Sequence, residues 1–178
     1  MGHTLLLTGR PGVGKTTVIK AVVESLGEQA GGFYTEEIRG PGGRKGFRLV
    51  TLDRQEAVMA HVNLRGQGRP RVSRYGVNVE AIKRVGVAAL RQAMQKRQSV
   101  AVDKIGKIEL FCGPFKEIVL QAVKGPHTVV ATEMSKPHPW VDSLKALPNV
   151  TLWEVTGENR GSMAERVMGW LCGGVDRK

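Results

Sequence analysis

The residues best suited to chemistry are Gly9-Arg10-Pro11-Gly12-Val13-Gly14-Lys15-Thr16: a glycine, four residues, then Gly-Lys-Thr. This spacing makes a phosphate-binding loop, because glycines at 9, 12 and 14 let the backbone curl until successive N–H groups meet phosphate oxygens. A side chain there blocks the approach. Lys15 reaches the β- and γ-phosphates as a point charge, the Thr16 hydroxyl can ligate Mg2+, and a helix starting behind the loop turns its positive end to the anion. The second landmark is Asp103, which ends the run Ser99-Val100-Ala101-Val102. A carboxylate closing a buried strand beside such a loop can hold the same Mg2+, usually through water.

These groups need elements to carry them. Thr4 to Thr8 reads as a short buried strand ahead of the loop. Val18, Ile19, Val22, Val23 and Leu26 recur at helical spacing behind it, with Gly27 as the stop. Gly31 to Arg39, the turn Gly40-Pro41-Gly42-Gly43 and Arg44 to Leu52 read as a β-hairpin, which brings Tyr34, Glu36, Glu37 and Arg39 within range of a nucleotide. Residues 61–76 hold Arg65, Arg69, Arg71 and Arg74 among glycines and a proline, and read as a mobile basic loop: a lid, a partner contact or a plain solvated turn.

Asn78 can cap a helix running to about Arg97 through Ile82, Val85, Ala89, Leu90 and Met94. Helices are also expected over 113–124 and near 141–147, and on the stripe Met163, Val167, Met168 and Leu171; strands are expected over 127–132 and 150–155. Alternating strands and helices imply an α/β fold: a Rossmann-like P-loop domain, mainly parallel sheet flanked by helices, with an added antiparallel β-hairpin.

Bulk properties narrow the field. A chain of 178 residues with 41% hydrophobic content suits one domain, residues 1–178. No secretory leader or run of about 20 apolar residues is apparent, so the expected location is cytoplasmic, away from membranes. Cys112, Cys172 and the four histidines fit no zinc or redox spacing. The net charge of +11 favours polyanions. RNA is only a secondary candidate, because aromatics are 5% of residues and do not interleave with the basic ones.

Four further blocks are more particular: Gly32-Phe33-Tyr34-Thr35-Glu36-Glu37-Ile38-Arg39, Gly46-Phe47, Ile105-Gly106-Lys107-Ile108-Glu109-Leu110-Phe111 and Thr156-Gly157-Glu158-Asn159-Arg160. With the phosphate loop, and in this order over essentially the whole chain, they resemble the THEP-type nucleoside-triphosphatase family of P-loop NTPases. The resemblance implies hydrolysis of several NTPs to NDP and phosphate with Mg2+. Residue by residue, it puts Gly12, Gly14, Lys15, Thr16 and Thr17 on phosphates and metal, Asp103 on Mg2+, and Lys107 near the reaction centre. Arg160 would stack on a base or neutralise phosphate.

The chain departs from the family pattern at one position. The family reads Asp-Glu-Ile-Gly-Lys-Met-Glu-Leu after the strand, and here Lys104 replaces the glutamate expected to orient or deprotonate the attacking water. An ammonium that keeps its proton cannot accept another. Two cations about 4 Å apart also repel by ~4 kcal/mol at an effective dielectric near 20, pushing Lys104 away from Lys15. Three outcomes are open: binding survives with slower hydrolysis; Glu109, Glu36 or Glu37 takes over; or Lys104 swings outward or adds charge at the γ-phosphate. The rival functions are a nucleoside or nucleotide kinase and a non-hydrolysing nucleotide-dependent RNA-binding protein.

Overall fold

The computed structural model describes residues 2–173. Its strands are β1 (Thr4–Thr8), β2 (Ala30–Gly40), β3 (Gly43–Thr51), β4 (Glu56–His61), β5 (Arg71–Val72), β6 (Tyr75–Val77), β7 (Ser99–Ile105), β8 (Val129–Glu133) and β9 (Val150–Glu154). Among the described residues they form one nine-stranded sheet in the order β5-β6-β4-β3-β2-β7-β8-β1-β9. The run β2-β7-β8-β1-β9 pairs in parallel. The run β2-β3-β4-β6-β5 pairs antiparallel, each strand with the next.

The helices are α1 (Lys15–Leu26), α2 (Val79–Ala81), α3 (Ala88–Gln95), α4 (Gly113–Lys124), α5 (Pro139–Lys145) and α6 (Arg160–Leu171), with a π-helical stretch Ile82–Val87 between α2 and α3. Successive side chains of a strand point to opposite faces, and β1 shows the result. Leu5 and Leu7 join Ile19 of α1 and Met163 of α6 on one face, while Leu6 joins Phe33, Phe115 of α4 and Val141 of α5 on the other. Both faces are thus covered, as a parallel core requires. Each of these leucines is fully buried, a burial that stabilises the fold by about 1.5–3 kcal/mol apiece.

The α/β class and the hairpin β2–β3 match the sequence expectation, but the antiparallel part is larger than one hairpin. Of the stretch 61–76 read as a mobile basic loop, residues 62–70 are irregular, while its last part forms the hairpin β5–β6 against β4. Three of its four arginines are bound to backbone carbonyls: Arg69 Nη1 donates to Val77 O (3.2 Å), Arg71 Nη2 to Arg74 O (2.9 Å), and Arg74 Nη2 to Arg44 O (2.6 Å). Satisfying backbone carbonyls with guanidinium forks lets a glycine-rich, charged segment take a fixed path. No described helix is long and apolar enough to cross a membrane.

Candidate active site

The phosphate loop joins β1 to α1. Gly9, Gly12 and Gly14 have φ of +148°, +79° and +115°, values that L side chains rarely adopt. A Cβ on Gly9 would also fall 2.5 Å from Val155 O. Gly14 is the N-cap of α1 and no side chain caps that end, so its first amides remain available to an anion. Lys15 Nζ folds back over the loop and donates to Gly9 O and, at 3.4 Å, to Arg10 O. Burial pushes its pKa below the ordinary lysine value and the nearby Lys104 charge adds to this, while Asp103 and Glu133 pull the other way.

Asp103, only 1% exposed, is held by threonines from three elements. Thr16 Oγ1 of α1 donates to Oδ2 at 2.8 Å, Thr132 Oγ1 of β8 donates to Oδ1 at 2.5 Å, and Thr35 of β2 offers its amide to Oδ2 at 3.3 Å. These bonds fix the carboxylate where the loop ends. A hydroxyl and a carboxylate in contact are hard oxygen donors of the kind Mg2+ takes beside phosphate oxygens and waters. Thr16 and Asp103 therefore fit the metal expected of them. Among the described residues no group of three or more His, Cys, Asp or Glu could hold a metal by itself.

A cavity of about 830 Å³ opens over this arrangement. Pro11, Gly12, Gly14, Lys15, Thr16 and Thr17 line one side, with Asp103, Lys104 and Lys107 beside them. Gly9, Arg10 and Val13 belong to the loop without lining the cavity. Arg160 is also outside the lining, yet its Nη1 reaches Val13 O at 3.5 Å. The Thr156–Arg160 block explains that placement. Asn159 Oδ1 accepts from Thr156 N (2.8 Å), Thr156 Oγ1 accepts from Asn159 N (3.2 Å), and Asn159 Nδ2 donates to Glu154 O (2.8 Å). This closed turn launches α6 with Arg160 beside the phosphate loop.

The far wall comes from the antiparallel strands. Arg44, Phe47, Arg74 and Tyr75 line it. Tyr75 Oη accepts from Arg44 Nε (3.0 Å) and Arg74 Nε (3.4 Å), and these bonds hold its pKa below the ordinary phenol value. Lys104 leans to this wall, with Nζ 5.7 Å from the Phe47 ring centre. Of the hairpin residues expected near a nucleotide, Glu36 and Glu37 line the cavity, whereas Tyr34 and Arg39 do not.

The carboxylates differ sharply. Glu36 pairs with Lys20 and Arg48 (both 2.8 Å), which hold its pKa low. Glu37 pairs with Arg39 (2.6 Å) and Arg44 (3.0 Å). Glu109 is fully buried outside the cavity lining, its oxygens accept no hydrogen bond from a side chain, and burial raises its pKa to about 7 against the pull of Lys104. Glu133, at the end of β8, also lines the cavity, although the sequence does not mark it as a site residue. The apolar run ends at Thr132, and a carboxylate just beyond it reads as a plain strand end.

The sequence reading ends the strand at Asp103, but β7 runs on to Ile105 past a register shift after Val102. A glycine-rich loop between a central parallel strand and a helix, with an aspartate on the strand next but one, defines a P-loop nucleotide-binding fold. A family model described as NTPase matches residues 4–168, and the chain belongs to that family. Nucleoside-triphosphatase THEP1 of Thermotoga sp. (strain RQ2) is 39% identical over 167 residues, 94% of each chain. The crystal structure of THEP1 from Aquifex aeolicus superposes with a TM-score of 0.86 at 35% identity, covering 94% of this chain and 98% of that one. The solution structure of a human cancer-related nucleoside triphosphatase gives 0.81 at 32% identity, covering 96% and 97%. This is the family that the motif blocks resemble.

Proposed function

We propose that the chain, acting as one P-loop domain, hydrolyses nucleoside triphosphates, ATP and GTP among them, to the diphosphate and phosphate with Mg2+. The observation that carries this reading is the 2.8 Å bond from Thr16 Oγ1 to Asp103 Oδ2 beside Lys15, which joins the phosphate loop to the carboxylate on β7. Loop amides and Lys15 bind the β- and γ-phosphates and stabilise the charge that develops there. Thr16 and Asp103 would hold Mg2+, which would supply charge neutralisation beside the phosphates. Thr132 and Thr35 keep Asp103 aimed at that position. Lys107 adds a cation at the reaction centre, and Arg160 steadies the nucleotide from the α6 side.

In the reaction, a water oxygen bonds to the γ-phosphorus as the bond to the β,γ-bridging oxygen breaks. The electron pair of that bond stays on the diphosphate, and the water protons leave with inorganic phosphate. Lys104 stands where a water-orienting glutamate is expected, so turnover runs slowly or draws on another carboxylate.

Phosphate release from ATP and GTP, with and without Mg2+, tests the reading. Wild type should release phosphate only with the metal, and Lys15→Ala should lower kcat/KM by at least about 100-fold. Phosphorylation of an added nucleoside without free phosphate would instead make the chain a kinase. Nucleotide-dependent RNA binding without either product would make it a binding protein.

A further inference from the structure

We infer that Glu133, at the end of β8, is the carboxylate that orients the attacking water in this chain, supplying from the neighbouring strand what Lys104 cannot. The inference rests on the hydrolase reading above and deepens it.

The reaction needs an acceptor for a water proton beside the γ-phosphate, and four described glutamates are near enough to consider. Glu36 and Glu37 are each bound by two cations. Glu109 is walled off: a Cβ on Gly106 would lie 3.1 Å from both Glu109 Oε2 and Lys104 Cε, so the backbone at 106 stands between that carboxyl and the Lys104 side chain. Glu133 differs from all three.

Glu133 is fully buried and lines the cavity together with Lys15, Thr16 and Asp103. Neither of its oxygens accepts a hydrogen bond. Lys145 Nζ lies 3.2 Å from Oε1, near enough for an ion pair but not aligned for a hydrogen bond. A buried carboxylate with unused lone pairs is costly unless something is to fill them. A water or a ligand in the cavity can do so.

Its place in the sheet fits the task. Residue 133 pairs with Ile105, two positions beyond Asp103, and follows Thr132, whose hydroxyl holds Asp103. Strand β8 lies between β7, which carries Asp103, and β1, which leads into the loop. A carboxylate there stands between metal site and phosphate cradle. In the step itself, Glu133 accepts a hydrogen bond from the attacking water and takes its proton as the new P–O bond forms, then returns it to the departing phosphate.

The test is steady-state phosphate release from Mg2+-ATP, with melting temperature and nucleotide affinity measured on the same samples. Glu133→Gln should lower kcat by about 10²–10³-fold with KM within about threefold of wild type. Adding Lys104→Glu to it should recover at least about tenfold, because the carboxylate returns from the adjacent strand. Glu133→Asp keeps the charge but withdraws it by one methylene, and should lose at least about tenfold even if Glu133→Gln fails to fold. A purely structural ion pair predicts otherwise: Glu133→Gln and Lys145→Met would lower the melting temperature equally, kcat per folded molecule would hold, and Lys104→Glu would recover nothing. That pattern, or a kcat for Glu133→Asp near the wild-type value, overturns the inference alone. Wild type that releases no phosphate overturns it along with the hydrolase reading.

Discussion

Glu109 should make the stability of this fold depend on pH in a defined window. Its carboxyl titrates at about 7 in the folded chain against an ordinary 4.5, because burial removes water from the carboxylate and the Lys104 charge restores only part of the loss. Below about pH 4.5 the group is protonated in both folded and unfolded chains and does not discriminate between them. Between about 4.5 and 7 the unfolded chain releases the proton and the folded chain retains it. Stability therefore falls as pH rises through that window and levels off above it. At about 1.4 kcal/mol per pH unit the loss approaches about 3 kcal/mol.

Glu109→Gln keeps the shape and abolishes the titration. At pH ~8 it should melt about 6–12 °C above wild type, at about 2–4 °C per kcal/mol for a chain of this size. At pH ~4.5 the two should melt nearly together. Scanning calorimetry at both values makes the comparison. A gap of the same size at both, or a Gln variant that melts lower at the higher pH, would refute the reasoning.

Two further outcomes follow from the geometry. Thr132→Val deletes the 2.5 Å bond to Asp103 Oδ1 and leaves that oxygen short of a partner, so the chain should lose about 1–3 kcal/mol of stability and bind Mg2+-nucleotide more weakly, read by urea unfolding and by titration calorimetry. Arg160→Ala removes the guanidinium next to Val13. It should raise the nucleotide Kd about 5–10-fold with little change in melting temperature, measured by nucleotide fluorescence.

Much of this site can be read from the sequence because its parts are local. The phosphate loop is eight consecutive residues whose glycines have to be glycines, and Asp103 directly follows an unmistakable apolar run. The less legible parts depend on contacts made at a distance. Arg69, Arg71 and Arg74 look like solvated charge until their backbone acceptors are in view. β4 has no clear sequence signal, since Glu56-Ala-Val-Met-Ala-His shows little alternation and becomes a strand by pairing with β3. The burial of Glu133 and its contact with Lys145 of α5 are likewise made at a distance in sequence. The spacing of Ile82, Val85 and Ala89 reads as ordinary helix, and the π-helical widening at Ile82–Val87 accompanies a close approach, where a Cβ on Gly86 would meet Phe33 and Leu49 at 3.4 Å.

The two halves of the sheet divide the labour of the cavity. The phosphate loop and Asp103 are rooted in the parallel strands, whereas Arg44, Phe47 and Tyr75, which line the same cavity, stand on the antiparallel extension. The extension can therefore lengthen, shorten or exchange side chains without disturbing the hydrogen bonds around Asp103. Substrate preference can drift on one side while the reaction stays fixed on the other. Swapping residues 43–77 between two relatives should transfer selectivity between nucleotides and leave the rate-limiting chemistry with the recipient.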